Sequence, residues 1–353
     1  MADSGGARPA DGGGRPARPP TMRDVAAAAG VSKALVSMIF RNAPGPSAQS
    51  RAHVLEVAER IGYRPNRTAS LLARRRSRHL GLTMTLRDAH QAELAEEVQA
   101  AAEGCGYEIV LSAVTRGRDE RRAIETLLEY RCEALLLIGP TSPVAELAAL
   151  AEQVPVVVLG RRVRQPGVTS IRADDGAGMG ALIAHLAGLG HRRIAHIDAG
   201  EGTLAADRRH GYEAAMREHG LGQYIRTIHG GLTEQDGIAA AERLLATGDL
   251  PTAIVACSDP CALGVLDRLT RAGFEVPARI SVTGFDDFPI ARAPRVNLTT
   301  VGQETRRQAR LAVQAAVDRL ESGYSGCGRD ALPRETVLPP RLVIRASTAP
   351  PPR

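Results

Sequence analysis

Lys33, Ala34, Ser37 and Met38 fall within one predicted helix, and their side chains are suited to contact with double-stranded DNA. Lysine can bind a phosphate, serine can bond to a phosphate or a base, and alanine and methionine can contact the methyl group of thymine. None of the four is arginine, the side chain that reads guanine through two hydrogen bonds. The set therefore favours thymine-methyl and phosphate contacts over guanine recognition.

The residues around this set predict a helix-turn-helix. Thr21 can cap a first helix, and Asp24 can serve as the acidic partner of a capping box. Gly30 permits the tight turn, and Ser32 can cap the second helix. A third helix over 47–61 would close the core. The apolar residues at core spacing are Val25, Ala29, Val31, Val36, Ile39, Val54, Leu55, Val57, Ala58 and Ile61. This arrangement is typical of a DNA-binding headpiece.

The charge distribution points independently in the same direction. Residues 1–80 hold 14 basic and 5 acidic residues, whereas the rest of the chain holds 31 basic and 34 acidic residues. A basic module on a mildly acidic body is expected of a phosphate-binding head joined to a small-molecule sensor. A solvated basic tail is the alternative interpretation of the charge alone.

Beyond residue 80, short apolar runs alternate with helical stretches. The predicted strands cover 80–86, 108–114, 134–138 and 156–159, and then 194–198, 225–229, 253–256 and 280–283. Continuous apolar runs separated by helices are typical of parallel strands buried on both faces. The pattern predicts an α/β core of two doubly wound lobes, with a ligand cleft at the carboxyl ends of the strands.

Composition excludes several classes of protein. No apolar run approaches the length of a membrane span, and residues 1–20 lack the apolar segment of a signal peptide, so we expect a cytoplasmic protein. Residues 1–20 are expected to be a disordered leader and 348–353 a tail. The cysteines, including Cys257 and Cys261, lack zinc-site spacing. We expect buried thiols, no disulfide, no metal and no cofactor.

Two segments of the headpiece carry a family resemblance: Asp24-Val25-Ala26 through Ala29-Gly30-Val31-Ser32 to Val36-Ser37, and Gly62-Tyr63-Arg64-Pro65-Asn66. The chain resembles the lactose-repressor/galactose-repressor (LacI/GalR) family of bacterial transcriptional regulators from Thr21 to about Ser347. The resemblance implies a headpiece over 21–65, a hinge over 66–78 and a core over 79–347 resembling periplasmic sugar-binding proteins. It implies a first lobe over about 79–172 and 301–328, and a second over about 173–299 and 329–347. The chain would cross between lobes near Arg172, Thr300 and Gly328.

The segment over 66–73 is too short to form a stable helix alone in water. By resemblance it folds on DNA, and Leu72 matches a leucine that wedges into the minor groove. A plain basic linker whose leucines pack on the core is the alternative. The DNA-binding residues expected in the whole chain are Thr21, Ser32, Lys33, Ala34, Leu35, Ser37, Met38, Arg41, Asn66, Arg67 and Leu72.

Three core segments carry the same resemblance: Leu189–Ala195, Asp207–Tyr212, and a segment that runs from Pro251 to Asp287. The resemblance implies effector contacts by Arg208, Asp286, Ser258 and Gln303. An arginine and a carboxylate at strand ends can bind sugar hydroxyls, although the two could instead form a structural ion pair near a hinge.

Two departures from the family pattern affect these expectations. Gly160 is followed by Arg161 and Arg162, where some sugar-binding relatives carry an aspartate. The extra positive charge beside the pocket also admits a carboxylated or phosphorylated effector, which Arg161 would contact. Met38 stands where many relatives have a base-reading arginine.

Gly176-Ala177-Gly178-Met179-Gly180-Ala181 fits the dinucleotide-binding pattern G-x-G-x-x-A, so a dehydrogenase is an alternative from the enzyme class. The motif lies in mid-chain and no catalytic pair accompanies it. A transporter's sugar receptor would need an export signal. We therefore do not expect an enzyme. We expect a homodimeric repressor that binds a pseudo-palindromic operator and responds to a small-molecule effector, a carbohydrate.

Overall fold

The computed structural model describes residues 18–41, 43–64, 76–86, 88–322 and 334–352, in two compact units that divide after Arg76. The first unit contains α1 (Met22–Ala29), α2 (Lys33–Phe40) and α3 (Ala48–Arg60). Apolar side chains of all three helices form one core, among them Val25, Val36, Ile39, Val54 and Val57. The predicted helix-turn-helix is confirmed.

The ends of α1 and α2 are set by the predicted capping residues. The Asp24 carboxylate accepts hydrogen bonds from the backbone N–H and the hydroxyl of Thr21, both at 2.8 Å. Gly30 ends α1 with a φ of 64°, a left-handed conformation that glycine adopts without strain. The Ser32 hydroxyl accepts from the Leu35 N–H at 3.1 Å and so begins α2.

The first lobe of the second unit is built on a six-stranded parallel sheet in the order β11-β5-β4-β3-β1-β2. Its elements are β1 (His79–Thr85), α4 (Ala89–Gly104), β2 (Glu108–Val114), α5 (Glu120–Glu129), β3 (Ala134–Ile138), α6 (Val144–Ala151), β4 (Val156–Leu159), β5 (Val168–Ala173), α11 (Thr305–Glu321) and β11 (Arg334–Leu338). Helices α4 and α11 cover one face, and α5 and α6 cover the other. Burial on both faces explains why β3 and β4 are apolar along their whole length.

The second lobe has a four-stranded parallel sheet in the order β7-β6-β8-β9. Its elements are α7 (Asp175–Gly188), β6 (Ile194–Ile197), α8 (Thr203–Glu218), β7 (Arg226–Ile228), α9 (Glu234–Ala246), β8 (Ala253–Ala256), α10 (Asp259–Arg271) and β9 (Ser281–Thr283). Helices α7 and α8 pack on one face, and α9 and α10 on the other. In the ranges described, no helix combines the length and apolar character needed to cross a membrane.

The last two crossings between the lobes meet in a small antiparallel sheet of β10 (Thr300–Gly302) and β12 (Arg341–Val343). The expectation that residues 329–347 belong to the second lobe is wrong for 334–338. Strand β11 pairs in parallel with β5, with Thr336 opposite Ile171, so it extends the first sheet. The third crossing therefore follows Leu338, and the predicted crossing at Gly328 falls outside the described residues.

The expected tail at 348–353 is anchored where it begins. Thr348 Oγ1 lies 3.0 Å from His185 Nε2, and the carbonyl of Ala349 lies 2.8 Å from His191 Nε2. Because His191 is buried, this bond fixes the segment on the second lobe. The expectation of a tail is therefore wrong for Thr348 and Ala349.

The glycines of the G-x-G-x-x-A pattern lie in the first turns of α7, where one of them permits close packing. A Cβ on Gly178 would come within 2.7 Å of the buried Phe285 ring, whereas a Cβ on Gly180 would meet no atom within 4 Å. Packing therefore accounts for Gly178 without a bound dinucleotide.

This packing role can be tested with two substitutions in the same helix. Gly178→Ala should lower the free energy of unfolding by about 1–3 kcal/mol because the fully buried ring must move. Gly180→Ala should be neutral or stabilising by up to about 1 kcal/mol, since alanine favours helix. Chemical denaturation of both variants is the measurement, and equal stabilities would contradict the packing explanation.

Candidate DNA-binding and effector-binding sites

Helix α2 and the residues at its two ends present six of the eleven predicted DNA-binding side chains to solvent, at least in part. Ser32, Lys33 and Ala34 are exposed, and Ser37 and Met38 are half-buried. Arg41 lies at the end of the helix, where its Nε donates to the Ser37 carbonyl at 3.2 Å. These residues form one accessible face of the helix. Leu35 differs from them because it packs against the headpiece core.

Helix α3 holds the carboxyl ends of the other two helices through side chains that the sequence analysis missed. Arg51 Nη1 donates to the Ile39 carbonyl at 3.2 Å, and its Nη2 donates to the Ala43 carbonyl at 3.1 Å. His53 Nε2 lies 3.3 Å from the Ala29 carbonyl. Arg51 therefore links α3 to the last turn of α2 and to the loop that follows. In a basic headpiece, the sequence gives no signal that separates such an arginine from one that binds phosphate.

The predicted hinge contacts cannot be placed in the same way. Asn66, Arg67 and Leu72 lie outside the described residues, so their roles stay predictions.

In the core, the Arg208 side chain is at the centre of a buried polar cluster, with only 1% of its surface exposed. Its Nε donates to Asp175 at 2.9 Å, its Nη2 donates to Asp286 at 3.2 Å, and its Nη1 donates to the Cys257 carbonyl. The guanidinium carbon lies 3.8 Å from the centre of the Phe285 ring. Burial acts to lower the pKa of Arg208, but the charges of Asp286 and Asp175 outweigh it, so the pKa is raised. Arg208 is therefore a fixed cation.

Asp286 joins this cluster to the second crossing between the lobes. Its carboxylate also accepts a hydrogen bond from Gln303 Nε2, and its backbone N–H donates to the Val301 carbonyl at 2.7 Å. Its φ of 112° is strained for a residue with a side chain. Burial raises the pKa of Asp286, although the Arg208 charge acts in the opposite direction. The structure thus brings together the predicted residues Arg208, Asp286 and Gln303.

Ser258 lies close to this cluster at the start of α10, where its hydroxyl has two structural bonds. It accepts from the Cys261 N–H at 3.2 Å and donates to the Leu232 carbonyl at 3.0 Å. The Leu232 side chain is 37% exposed at the same edge of the sheet, where it offers an apolar surface. Leu232 was not predicted, because an isolated leucine after a short strand carries no signal.

The arginines that follow β4 are paired with protein groups. Arg161 Nη1 donates to the carbonyls of Pro140 and Ser142 at 2.8 and 2.7 Å. Arg162 lies 3.7 Å from Asp207 and 3.8 Å from Glu335. Arg162 thus lies near two carboxylates, although Glu335 binds Arg172 more closely, at 2.7 Å, and Arg161 Nη1 is engaged in stabilising a loop of the first lobe.

Asp175 is a further residue that the sequence analysis missed. It lies directly after the first crossing, is 4% exposed and gives Arg208 its second carboxylate. Its position two residues after β5 was a usable signal, because carboxyl ends of parallel strands meet at one edge. Arg208 and its partners can present donors and acceptors together, which is what recognition of a polyhydroxylated ligand needs.

Comparisons with known proteins cover nearly the whole chain. The model of bacterial regulatory proteins of the lacI family matches residues 21–66, and that of a periplasmic binding protein-like domain matches residues 183–348. The Escherichia coli K12 transcriptional regulator GalR is 34% identical over 94% of this chain and 96% of its own. A LacI transcriptional regulator from a Rhodococcus species has a TM-score of 0.73 at 42% identity, over 78% of this chain and 100% of its own. The lac repressor dimer bound to operator has a TM-score of 0.80 at 26% identity, over 94% of this chain and 100% of its own.

The position of Arg51 leads to a test of the headpiece. Arg51→Gln should weaken binding to a palindrome selected by the wild-type chain about tenfold or more, because the recognition helix loses two anchoring hydrogen bonds. The salt dependence of binding should stay unchanged, since no phosphate contact is lost. Fluorescence anisotropy at several salt concentrations measures both quantities.

Arg60→Gln, at an exposed position of the same helix, is the control with the same change in charge. A salt slope that falls by about 1 in Arg51→Gln would show that Arg51 binds a phosphate instead.

Proposed function

Because the chain belongs to the lacI family of bacterial regulatory proteins, and is thus a DNA-binding transcriptional regulator, we propose that it is a repressor that binds a pseudo-palindromic operator as a homodimer. We further propose that a sugar or sugar derivative between the lobes changes its operator affinity, and that the chain carries out no catalysis. The observation that carries the proposal is the capped helix α2 with its exposed polar face. Such a helix enters the major groove in helix-turn-helix proteins.

Dimerisation is supported by the limited size of this face and by the edge of the first sheet. One recognition helix makes too few base contacts for useful selectivity, whereas two heads can read a palindrome. Strand β2 is an edge strand of the first sheet, and Leu111 on it is 52% exposed. An apolar edge of this kind is normally covered, and a second copy would cover it.

The effector part of the proposal is supported by the Arg208 cluster. Asp175 follows the first crossing and Gln303 the second, and both are bound into the cluster, Asp175 by Arg208 and Gln303 by Asp286. A ligand that exchanges hydrogen bonds with these groups would therefore act on the segments that set the lobe orientation. We propose Arg208, Asp286 and Gln303 as its main contacts, with Leu232 beside them. Ser258 and Arg161 would contribute through the loops that they hold.

The DNA-binding part can be tested by deleting residues 1–78. We expect the remaining core to lose operator binding and to keep its thermal response to small molecules, since it forms a separate compact unit. Specific binding by the full chain should fall about 10³–10⁵-fold between 50 and 200 mM salt if 6–10 phosphates are contacted. Electrophoretic mobility shift is the measurement. Selective retardation of DNA by the truncated core would contradict the assignment of the head.

The effector part can be tested with a thermal-shift screen of sugars, sugar acids, sugar phosphates and purines, followed by calorimetry. Asp286→Asn keeps the shape of the side chain and should weaken binding by about 1.5–3 kcal/mol, because a charge-assisted contact is lost. Operator affinity without ligand should change little. Glu201→Gln, at an exposed position after β6, is the charge-matched control. Unchanged ligand affinity in Asp286→Asn would refute this pocket.

A further inference from the structure

Two polar side chains at the start of α4 face the second lobe from the opposite side of the cleft. The ring of His90 lies 6.0 Å from the ring of Phe288, in an edge-to-face arrangement. His90 Nδ1 and one carboxylate oxygen of Glu93 are shielded from solvent, and neither has a hydrogen-bond partner among the described residues. A buried acceptor without a partner is costly, and such groups occur where a ligand supplies the missing bond.

The electrostatic surroundings of Glu93 show that it belongs to the same region as the Arg208 cluster. Burial raises the pKa of Glu93, the charges of His90 and Arg292 lower it, and Asp286 and Asp287 raise it. Asp88, which caps α4, similarly raises the pKa of Asp286. Carboxylates from both lobes thus lie within electrostatic reach of one another.

The cations near these carboxylates already have partners. Arg208 is shared by Asp175 and Asp286, and Arg292 lies 3.1 Å from Asp287. Arg162, on the first lobe, is shared by Asp207 and Glu335. An anionic group placed beside the shielded oxygen of Glu93 would therefore meet a carboxylate, while Arg208 and Arg292 are engaged by other carboxylates.

We propose that Glu93 determines the specificity of the effector pocket by accepting a hydrogen bond from a hydroxyl or ammonium group of the effector. It excludes ligands that place a carboxylate or phosphate at that point. This inference rests on the proposed function, and it argues against the anionic effector that Arg161 and Arg162 left open. Glu93 recognises a donor, since its shielded carboxylate oxygen has no hydrogen-bond partner among the described residues.

The test uses the full chain and sugar series that differ in one substituent. The galactose series is D-galactose, D-galactosamine, D-galacturonate and D-galactose 6-phosphate, and the glucose series contains the corresponding four compounds. Calorimetry should show at least one neutral or amino sugar binding the wild-type chain about tenfold or more tightly than its anionic counterparts. In Glu93→Gln this ratio should shrink at least fivefold, and D-galactosamine or D-glucosamine should lose most.

Glu96→Gln is the matched control, because Glu96 lies on the exposed face of the same helix and its substitution changes the net charge equally. It should leave the ratio at its wild-type value. Glu93→Ala is the second variant, and thermal denaturation of each variant confirms folding. The ratio should shrink in Glu93→Ala as it does in Glu93→Gln.

The outcomes separate the two proposals. An anionic sugar that binds the wild-type chain as tightly as its neutral counterpart would overturn the role of Glu93 and leave effector binding intact. An unchanged ratio in both Glu93 variants would have the same meaning. If neither series binds the wild-type chain, the proposed sugar effector fails and the role of Glu93 fails with it.

Discussion

The buried guanidinium of Arg208 is the interaction on which the second lobe and its crossings depend. It lies on α8, yet its partners come from three other places: the start of α7, the carbonyl after β8 and the carboxylate after β9. A cation at this depth needs a carboxylate beside it, because an unpaired buried charge costs several kcal/mol, and Asp175 and Asp286 both meet this need. The ends of β8 and β9 and the start of α7 are therefore fixed relative to one another.

The pairing of buried Arg208 is also connected to the other two crossings, through the neighbouring residues Asp286 and Asp287. Asp286 and Asp287 have φ values of 112° and 58°, and their side chains serve different partners. Asp286 binds Arg208 and Gln303, whereas Asp287 binds Arg292 and also Arg345, which follows the last crossing. A strained turn of this kind persists only where the surroundings determine it from several sides. Contacts linked to all three crossings thus converge on one short turn.

The contrast between predicted and missed elements has a physical basis. Strands β2, β3, β4 and β8 were predicted to the residue, and β3, β4 and β8 are buried along their whole length, which leaves an unbroken apolar run. Strand β11 was missed because, at the edge of the sheet, most of its side chains are exposed and its sequence carries no run. Arg208 and Asp286 were identified through resemblance, and their burial could not have been deduced from charge alone. The sequence placed Arg161 near the pocket, but its bonds to two carbonyls depend on a loop that lies 19 to 21 residues earlier in the chain.

A cluster in which carboxylates share one cation is suited to a ligand-dependent change in lobe orientation. Changing a two-state population from 1:99 to 99:1 requires about 10⁴-fold tighter binding to one state, or about 5.5 kcal/mol. One hydrogen bond to a charged group contributes about 1.5–3 kcal/mol, so two or three such bonds made in only one orientation are sufficient. Asp286 can accept one of them, and Glu93, from the opposite lobe, can accept another. These two acceptors lie on different lobes. A ligand can therefore donate to both at once only when the lobes have one particular relative orientation. Binding of such a ligand would favour that orientation over the others.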